Sequence, residues 1–148
     1  MKPIRKAQER DLSRMAEILI FNYRLYFYPI FQNDDYYFNE LQTPAVASDL
    51  AGALPSLWVY DDGAVKGFLQ LEGAEIRRLF VEPVLHGQAI GAALLEHAVS
   101  LGADRLWALE KNRDAIRFYS RHGFRETGQR RLEGGTEEYL VLLRRTKE

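Results

Sequence analysis

The spacing of apolar residues predicts that the chain opens with one strand and two helices. Residues 3–7 form a short extended segment. After Asp11, apolar residues recur about every 3.6 positions, which is typical of an amphipathic helix. A second helix is predicted over 43–53, where a Thr-Pro pair provides a start and a glycine stands near the end.

The middle of the chain has the pattern of three strands joined by tight turns. Residues 57–60 and 64–71 flank an Asp-Asp-Gly sequence, which predicts a β-hairpin. Residues 75–81 follow a Glu-Gly turn and form the third strand of a meander. Beyond it, the pattern alternates between helix and strand, with elements predicted over 87–101, 105–109, 113–122 and 137–143. We find no linker or repeat and predict one α/β (α+β) domain over 1–148.

Composition excludes several classes of protein. The formal net charge is -1, so no global field favours nucleic acid or an anionic membrane. The longest apolar runs fall far short of the roughly 20 residues that cross a bilayer, and the N-terminus lacks the apolar core of a secretory signal. We therefore expect a cytoplasmic protein. There is no cysteine, and the three histidines do not have the spacing of metal ligands, so no metal site is expected.

The segment over 79–95 is the first candidate binding motif. It combines an apolar strand, a break at Glu82-Pro83 and a helix entered through Gly87 and Gly91. The first N–H groups of a helix have no partner within it and lie at the positive end of its dipole, so they suit a diphosphate. Small residues at this spacing also permit close packing of helix on sheet, and the segment alone favours neither interpretation.

The segment over 106–124 is the second candidate motif. Asn112, Ala115 and Tyr119 recur at helical spacing and therefore share one face of a predicted helix. Asn112 stands where the preceding strand ends. A Gly-Phe pair then closes the helix with a left-handed cap and an apolar anchor.

Together the two segments resemble the GNAT superfamily, the general-control-related N-acetyltransferases. The family's first motif is Gln/Arg-x-x-Gly-x-Gly/Ala, and here it stands as His86, Gly87, Gln88, Ala89, Ile90 and Gly91. Histidine thus replaces Gln/Arg, and alanine replaces the first glycine. The second motif, Asn-x-x-Ala-x-x-x-Tyr followed by Gly-Phe, stands intact as Asn112, Ala115, Tyr119, Gly123 and Phe124. The order of the predicted elements is similar to that fold across the whole chain.

The resemblance implies a mixed, mostly antiparallel sheet of about six to seven strands with about four flanking helices. It also implies that the sheet is splayed between the strands 75–81 and 105–109, which leaves strand edge unpaired. Acetyl-CoA would bind there as co-substrate, with its diphosphate on the helix N-terminus and its pantetheine arm along the strand. By resemblance, the residues expected to bind it are Leu79, Phe80, Val81, His86, Gly87, Gln88, Ala89, Ile90, Gly91, Ala92 and Asn112.

The same resemblance implies two catalytic residues. Tyr119 is the predicted general acid, since a phenol with a pKa of ~10 can protonate a departing thiolate. Glu75 is the predicted general base, acting directly or through water if burial raises its pKa. The alternatives are that Tyr119 is only a packed aromatic residue and that Glu75 points into solvent. Two further alternatives for the general base are Glu110 and a water chain without a dedicated base. A backbone N–H near Val81 is expected to face the thioester oxygen.

An aromatic-rich segment over 21–38 is expected to border the acceptor. Tyr23, Tyr26 and Tyr28 would frame a cationic amine through cation–π contact. The alternative is that the aromatic residues of this segment only fill the core beneath a loop.

These expectations define a leading function and two rivals. The leading hypothesis is an N-acetyltransferase that moves an acetyl group from acetyl-CoA to a primary amine of a small molecule or peptide, by direct attack in a ternary complex. The first rival is a non-catalytic acyl-CoA-binding or sensing module with the same fold. The second is a structural protein without a cofactor. Neither nucleic acid nor membrane is an expected partner, and pairing of the strand 137–143 across a homodimer is a further expectation.

Overall fold

A single seven-stranded sheet forms the centre of the protein. The computed structural model describes residues 3–146, and the sheet order within them is β1-β2-β3-β4-β5-β7-β6. Neighbouring strands are antiparallel except for the parallel pair β4–β5. The strands are β1 Ile4–Lys6, β2 Leu57–Asp61, β3 Val65–Glu72, β4 Glu75–Val81, β5 Arg105–Leu109, β6 Phe124–Leu132 and β7 Tyr139–Arg145.

Helices cover both faces of this sheet. Within the described residues they are α1 Leu12–Asn22, α2 Tyr28–Phe31, α3 Thr43–Ala51, α4 Ile90–Ser100 and α5 Arg113–Arg121. Two widened, π-helical segments, Tyr23–Phe27 and Asp35–Glu40, flank α2. No helix in residues 3–146 has the length and apolar character that crossing a bilayer requires.

The sheet separates two apolar cores, and β3 shows how one strand serves both. Phe68 packs into the core beneath α1 and α3, whereas the next residue, Leu69, packs into the core beneath α4 and α5. Successive side chains of a strand point to opposite faces, so a strand covered on both faces buries apolar residues on each of them, as Phe68 and Leu69 show. The α/β class and the mixed, mostly antiparallel sheet predicted from the sequence are confirmed.

The parallel pairing of β4 and β5 is short. It is limited to Glu75 with Arg105 and Ile76 with Leu106, after which the two strands diverge. Each strand is held on its other side instead, β4 by β3 and β5 by β7. The predicted splay between 75–81 and 105–109 is therefore present in the fold.

One predicted boundary and one predicted strand pairing need correction. The helix predicted over 87–101 begins only at Ile90, because Gly87 (φ 89°) and Ala89 (φ 64°) hold left-handed backbone that no helix continues. The expectation that the strand 137–143 pairs across a dimer is wrong. β7 lies between β5 and β6, so both of its edges are already hydrogen-bonded.

One ion-pair network ties the N-terminal strand to the rest of the domain. The Arg5 guanidinium donates to both carboxylate oxygens of Asp11, at 2.8 and 3.0 Å, and also to Asp61 at 2.9 Å. Asp11 is buried and also accepts the backbone N–H of Gln8 at 2.8 Å. These hydrogen bonds from Arg5 hold the pKa of Asp11 below its ordinary value.

We expect Asp11→Ala to lower the free energy of unfolding by about 2–3 kcal/mol at pH 7, because Arg5 and the Gln8 N–H both lose a charged acceptor. A folded-state pKa below the unfolded value of about 3.9 gives stability that is fully present above pH ~4 and disappears as pH falls through the folded pKa. Urea unfolding at pH 7, 5 and 3 measures this. Asp11→Asn is the control that keeps the side-chain volume, and an undiminished difference at pH 3 would contradict the ionic explanation.

Candidate active site

The divergence of β4 and β5 opens a cleft that crosses the middle of the sheet. Its volume is about 1320 Å³, beyond the roughly 300–1,000 Å³ typical of sites for drug-sized ligands. The walls come from β4 and β5, the start of α4, α5, the segment after α1 and the β6–β7 loop. The cleft therefore has room for an extended ligand and for a second molecule beside it.

The open edge of β4 presents backbone groups to this cleft. The N–H of Glu82 donates to the Lys66 carbonyl on β3 at 2.9 Å. Because hydrogen-bonding groups alternate in direction along a strand, the N–H groups of Leu79 and Val81 face the gap instead. The Val81 carbonyl also faces it and accepts the Asn22 side-chain amide at 2.9 Å. This edge can pair with an extended polar chain as another strand would.

The start of α4 supplies unpartnered N–H groups at one end of the cleft. The first hydrogen bond of the helix joins Ala93 N to Ala89 O at 3.1 Å, so the N–H groups of Ile90, Gly91 and Ala92 have no partner within the helix. Together with the helix dipole, they form a site for an anion.

Ten of the eleven residues predicted to bind acetyl-CoA line the cleft; Gln88 does not. Those that do are Leu79, Phe80, Val81, His86, Gly87, Ala89, Ile90, Gly91, Ala92 and Asn112. The alanine that replaces a family glycine holds left-handed backbone (φ 64°, ψ 12°) at the N-cap of α4.

His86 has a different environment from the one expected of a phosphate ligand. Its Nε2 donates to the Val81 carbonyl at 2.9 Å, and its Nδ1 accepts the Tyr26 hydroxyl at 3.0 Å. The two rings are stacked at 5.6 Å. Because both ring nitrogens are engaged, the imidazole has no N–H left for a phosphate in this arrangement.

Asn112 combines a structural role with an exposed donor. Its Oδ1 accepts the Ala115 N–H at 3.3 Å and so caps the N-terminus of α5. The side-chain NH₂ group is not needed for the cap and lies at the cleft. The Asn-x-x-Ala spacing of the sequence motif is thus the spacing of a helix cap.

Tyr119 lies on α5, is 8% exposed and lines the cleft. Its ring packs edge-on against Phe118 and Phe124, with centroids 5.1 and 6.1 Å away. Burial raises the pKa of the phenol above its ordinary value. The side chain is therefore neutral and protonated near pH 7. Within residues 3–146 its hydroxyl has no hydrogen-bond partner that would compete for the proton.

Glu75, the predicted base, is not brought to the cleft. It stands at the start of β4, where the strand is still paired with β5, and its carboxylate binds Arg77 at 3.3 Å. The carboxylates that do line the cleft include Glu72 and Glu133. Neither was predicted.

The segment after α1 supplies the aromatic wall, with one exception among the predicted residues. Tyr23 and Tyr26 line the cleft, as do Tyr36 and Tyr37, but Tyr28 does not. Its hydroxyl donates to Asp34, and its ring packs on Tyr37 and Phe38. Tyr28 therefore packs against the aromatic wall through Tyr37 and does not itself line the cleft.

Sequence reasoning also missed Asn22 and Arg78. Asn22 is a buried polar residue that donates to the carbonyls of Ile18 and Val81, at 2.8 and 2.9 Å. An asparagine on the apolar face of a helix was a readable signal, since buried amides require partners. Arg78 and Glu133 carried no comparable signal, because their position in the cleft depends on strand direction and loop path.

We expect Ala89→Gly to raise the free energy of unfolding by up to about 1 kcal/mol, because left-handed backbone is strained for alanine and not for glycine. Ala89→Val should lower it by about 1–2 kcal/mol, since a β-branched residue tolerates this conformation poorly. Urea unfolding measures both. Ala93→Val adds the same atoms within the helix and is the control. Equal stability of Ala89→Val and wild type would contradict the left-handed cap.

The chain is similar to known acetyltransferases in sequence and in fold. A family model described as an acetyltransferase (GNAT) domain matches residues 54–126. The peptidyl-lysine N-acetyltransferase YjaB of Salmonella typhimurium is 34% identical over 100 residues, which are 66% of this chain and 68% of the relative. Its Escherichia coli counterpart is 32% identical over 77 residues, which are 51% and 52% of the two chains.

Solved structures extend the likeness to the whole fold. The solution structure of apo-form YjaB from Escherichia coli superimposes with a TM-score of 0.75 at 24% identity, covering 97% of each chain. The PaiA N-acetyltransferase from Thermoplasma acidophilum, in complex with coenzyme A, has a TM-score of 0.68 at 18% identity, covering 95% of this chain and 97% of that one. With the splayed sheet and both motifs present, the chain belongs to the GNAT superfamily of acetyltransferases.

Proposed function

We propose that the protein is an acetyl-CoA-dependent N-acetyltransferase that acts on a primary amine. The observation that carries this is that one cleft holds the unpartnered N–H groups of α4, the open edge of β4 and the Tyr119 side chain. The relatives named peptidyl-lysine N-acetyltransferase make a lysine side chain of a peptide the first acceptor to test.

Binding of acetyl-CoA uses the chain's own backbone. The N–H groups from Gly87 to Ala92 hold the diphosphate. Their fit rests on the helix N-terminus and on the left-handed backbone of Gly87 and Ala89 just before it. The pantetheine arm lies along β4, where Leu79 and Val81 present N–H groups. The free NH₂ of Asn112 donates to the arm from the opposite wall.

Acetyl-CoA supplies an activated thioester and a thiolate leaving group. The amine attacks the acetyl carbonyl directly, in a ternary complex, and the Val81 N–H stabilises the negative charge that develops on the carbonyl oxygen. Tyr119 donates its proton to the sulfur as the C–S bond breaks. Burial raises the pKa of this phenol, so it is neutral near pH 7 and a weak acid, and it delivers the proton only as negative charge builds on the sulfur.

Proton removal from the amine is assigned to water in the cleft. Glu75 does not line the cleft, although the next residues Ile76 and Arg77 do, and its carboxylate is engaged by Arg77. We expect Glu75→Gln to lower turnover, measured as thiol release, by less than about threefold. A loss of about 100-fold or more would show instead that Glu75 is the base.

A non-catalytic acyl-CoA-binding module is the second candidate. The engaged nitrogens of His86 and the ion pair that engages the Glu75 carboxylate favour it. Two measurements separate the candidates: calorimetric titration with CoA, and thiol release from acetyl-CoA in the presence of lysine peptides and small amines. Binding with turnover supports the transferase, binding without turnover supports the module, and no binding at millimolar CoA removes both.

We expect Tyr119→Phe to lower kcat by about 100-fold or more while KM for acetyl-CoA changes little, because the phenyl ring keeps the packing and loses only the proton donor. Steady-state thiol release measures it. Tyr139→Phe, at an exposed tyrosine of β7, is the control. Unchanged kcat in Tyr119→Phe at every pH would contradict the assignment.

The pH profile provides an independent check. Turnover should rise with pH as the acceptor amine loses its proton. Because burial raises the pKa of Tyr119, the acid form persists above the ordinary phenol value of about 10. The profile of kcat should therefore show no fall up to about pH 10. A descending limb below pH 9 that Tyr119→Phe removes would contradict the raised pKa.

A further inference from the structure

Arg78 is a basic side chain in the cleft that the proposed acetyl transfer does not use. It lies on β4, and its side chain is 26% exposed. Phe80 lies two residues further along the strand, so its side chain is on the same face as that of Arg78. The ring centroid of Phe80 is 5.7 Å from that of Tyr23 and 6.3 Å from that of Phe27. The guanidinium therefore belongs to the aromatic side of the cleft, where the acceptor is expected.

The side chain of Gln70 accepts a hydrogen bond from this guanidinium and positions it. It is buried at 5% exposure and lies opposite Arg78 in the β3–β4 register. Its Oε1 accepts from Arg78 Nη1 at 2.9 Å, while its Nε2 donates to Glu72 at 3.0 Å. A buried amide needs partners at both ends, so this arrangement fixes which end faces Arg78. A guanidinium held in this way loses little conformational freedom when it binds a ligand.

In the part of the chain that the structure describes, no carboxylate that lines the cleft forms an ion pair with Arg78. Its ion-pair partner is Asp49, 3.5 Å away and 72% exposed, a geometry that contributes little. Glu72 is engaged by Arg77 at 3.1 Å. Glu133 lines the cleft but, within residues 3–146, forms no ion pair with Arg78. Since a guanidinium carries five N–H groups, Arg78 retains donors for a ligand.

The neighbouring phenols support this location. Burial raises the pKa of both Tyr23 and Tyr36, and the charge of Arg78 opposes the rise in each. Both tyrosines line the cleft. The cationic head of Arg78 is thus within electrostatic reach of the aromatic wall.

We propose that Arg78, positioned by Gln70, binds a carboxylate carried by the amine acceptor. The inference rests on the proposed function, in that the ligand of this site is taken to be the acceptor. Preferred acceptors would then carry a carboxylate a few bonds from the reacting amine, either as a free amino acid or as a peptide with an acidic residue beside its lysine. The planar guanidinium fork matches a carboxylate in two-point contact, which a lysine in its place would not.

The test compares ligands that differ only in the carboxylate. ε-Aminocaproate and hexylamine are titrated calorimetrically into wild type, Arg78→Gln, Arg78→Lys and the control Arg117→Gln, each with CoA present. Arg117 is an exposed arginine of α5 that does not line the cleft. We expect wild type and Arg117→Gln to bind ε-aminocaproate about 10- to 100-fold more tightly than hexylamine. In Arg78→Gln the preference should vanish, and in Arg78→Lys it should be intermediate. Binding is the readout, so a failure of acetyl transfer would leave this result interpretable.

A second pair of ligands identifies the source of the carboxylate. The peptides acetyl-Ala-Lys-Glu-amide and acetyl-Ala-Lys-Gln-amide are compared on the same variants. A preference that depends on Arg78 in either pair supports the proposal, and the pair that shows it says whether the carboxylate belongs to an amino acid or to a peptide side chain. Three results would overturn it: equal binding within both pairs by wild type, equal losses in Arg78→Gln and Arg117→Gln, or no detectable binding of any of the four ligands.

Discussion

The early end of pairing between β4 and β5 is the constraint on which the site depends. Two residue pairs join these parallel strands, and beyond them each strand turns one edge to the cleft. Unpaired backbone is costly when buried, so a gap inside a sheet persists only where each strand is secured elsewhere and a ligand can use the free groups. Here β3 secures β4, and β7, entering antiparallel, secures β5 along its length.

Hydrogen bonds around the Val81 carbonyl and His86 connect the two sides of the cleft. The Val81 carbonyl receives the amide of Asn22 from α1 and the imidazole of His86 from the loop before α4. His86 in turn receives the hydroxyl of Tyr26 from the acceptor side. The wall expected to meet the acceptor is therefore hydrogen-bonded to the strand expected to meet the cofactor. The histidine that stands in place of the family's Gln/Arg is thus hydrogen-bonded within the protein through both ring nitrogens.

The two walls of the cleft differ in chemical character, and this bears on what each can bind. The α4 side offers backbone N–H groups and small residues, which suit a diphosphate. The opposite side offers phenol and phenyl rings beside Arg78 and Glu133. Charged side chains that line a partly enclosed apolar surface interact more strongly with a ligand than they would in water. Selectivity for the acceptor is therefore expected to come from that side.

The amino-acid sequence alone determined the order and type of most elements, because they have a clear period of apolar residues and short turns with clear residue preferences. It did not delimit β6, whose residues after Phe124 are exposed, or predict the helical segments after α1. It also determined the binding motifs, since these are local: a glycine-entered helix start, and an asparagine three residues before the N–H that it caps. The splay followed from the resemblance that those motifs support, and the fold confirmed it. Glu75 shows the limit of this reasoning. Its place on β4 was predictable, but its pairing with Arg105 of β5 and its ion pair with Arg77 were not.

Contacts between residues far apart in sequence were decided only by the tertiary structure. The sequence could not show that His86 faces Tyr26 and Val81, that Gln70 holds Arg78, or that the last strand inserts between β5 and β6. The reason is physical: periodicity specifies which face of an element is buried, whereas side-chain partners depend on how strands are ordered and how far neighbouring strands remain paired. Local chemistry thus identified the family, and the packing of the sheet selected which side chains meet in the cleft.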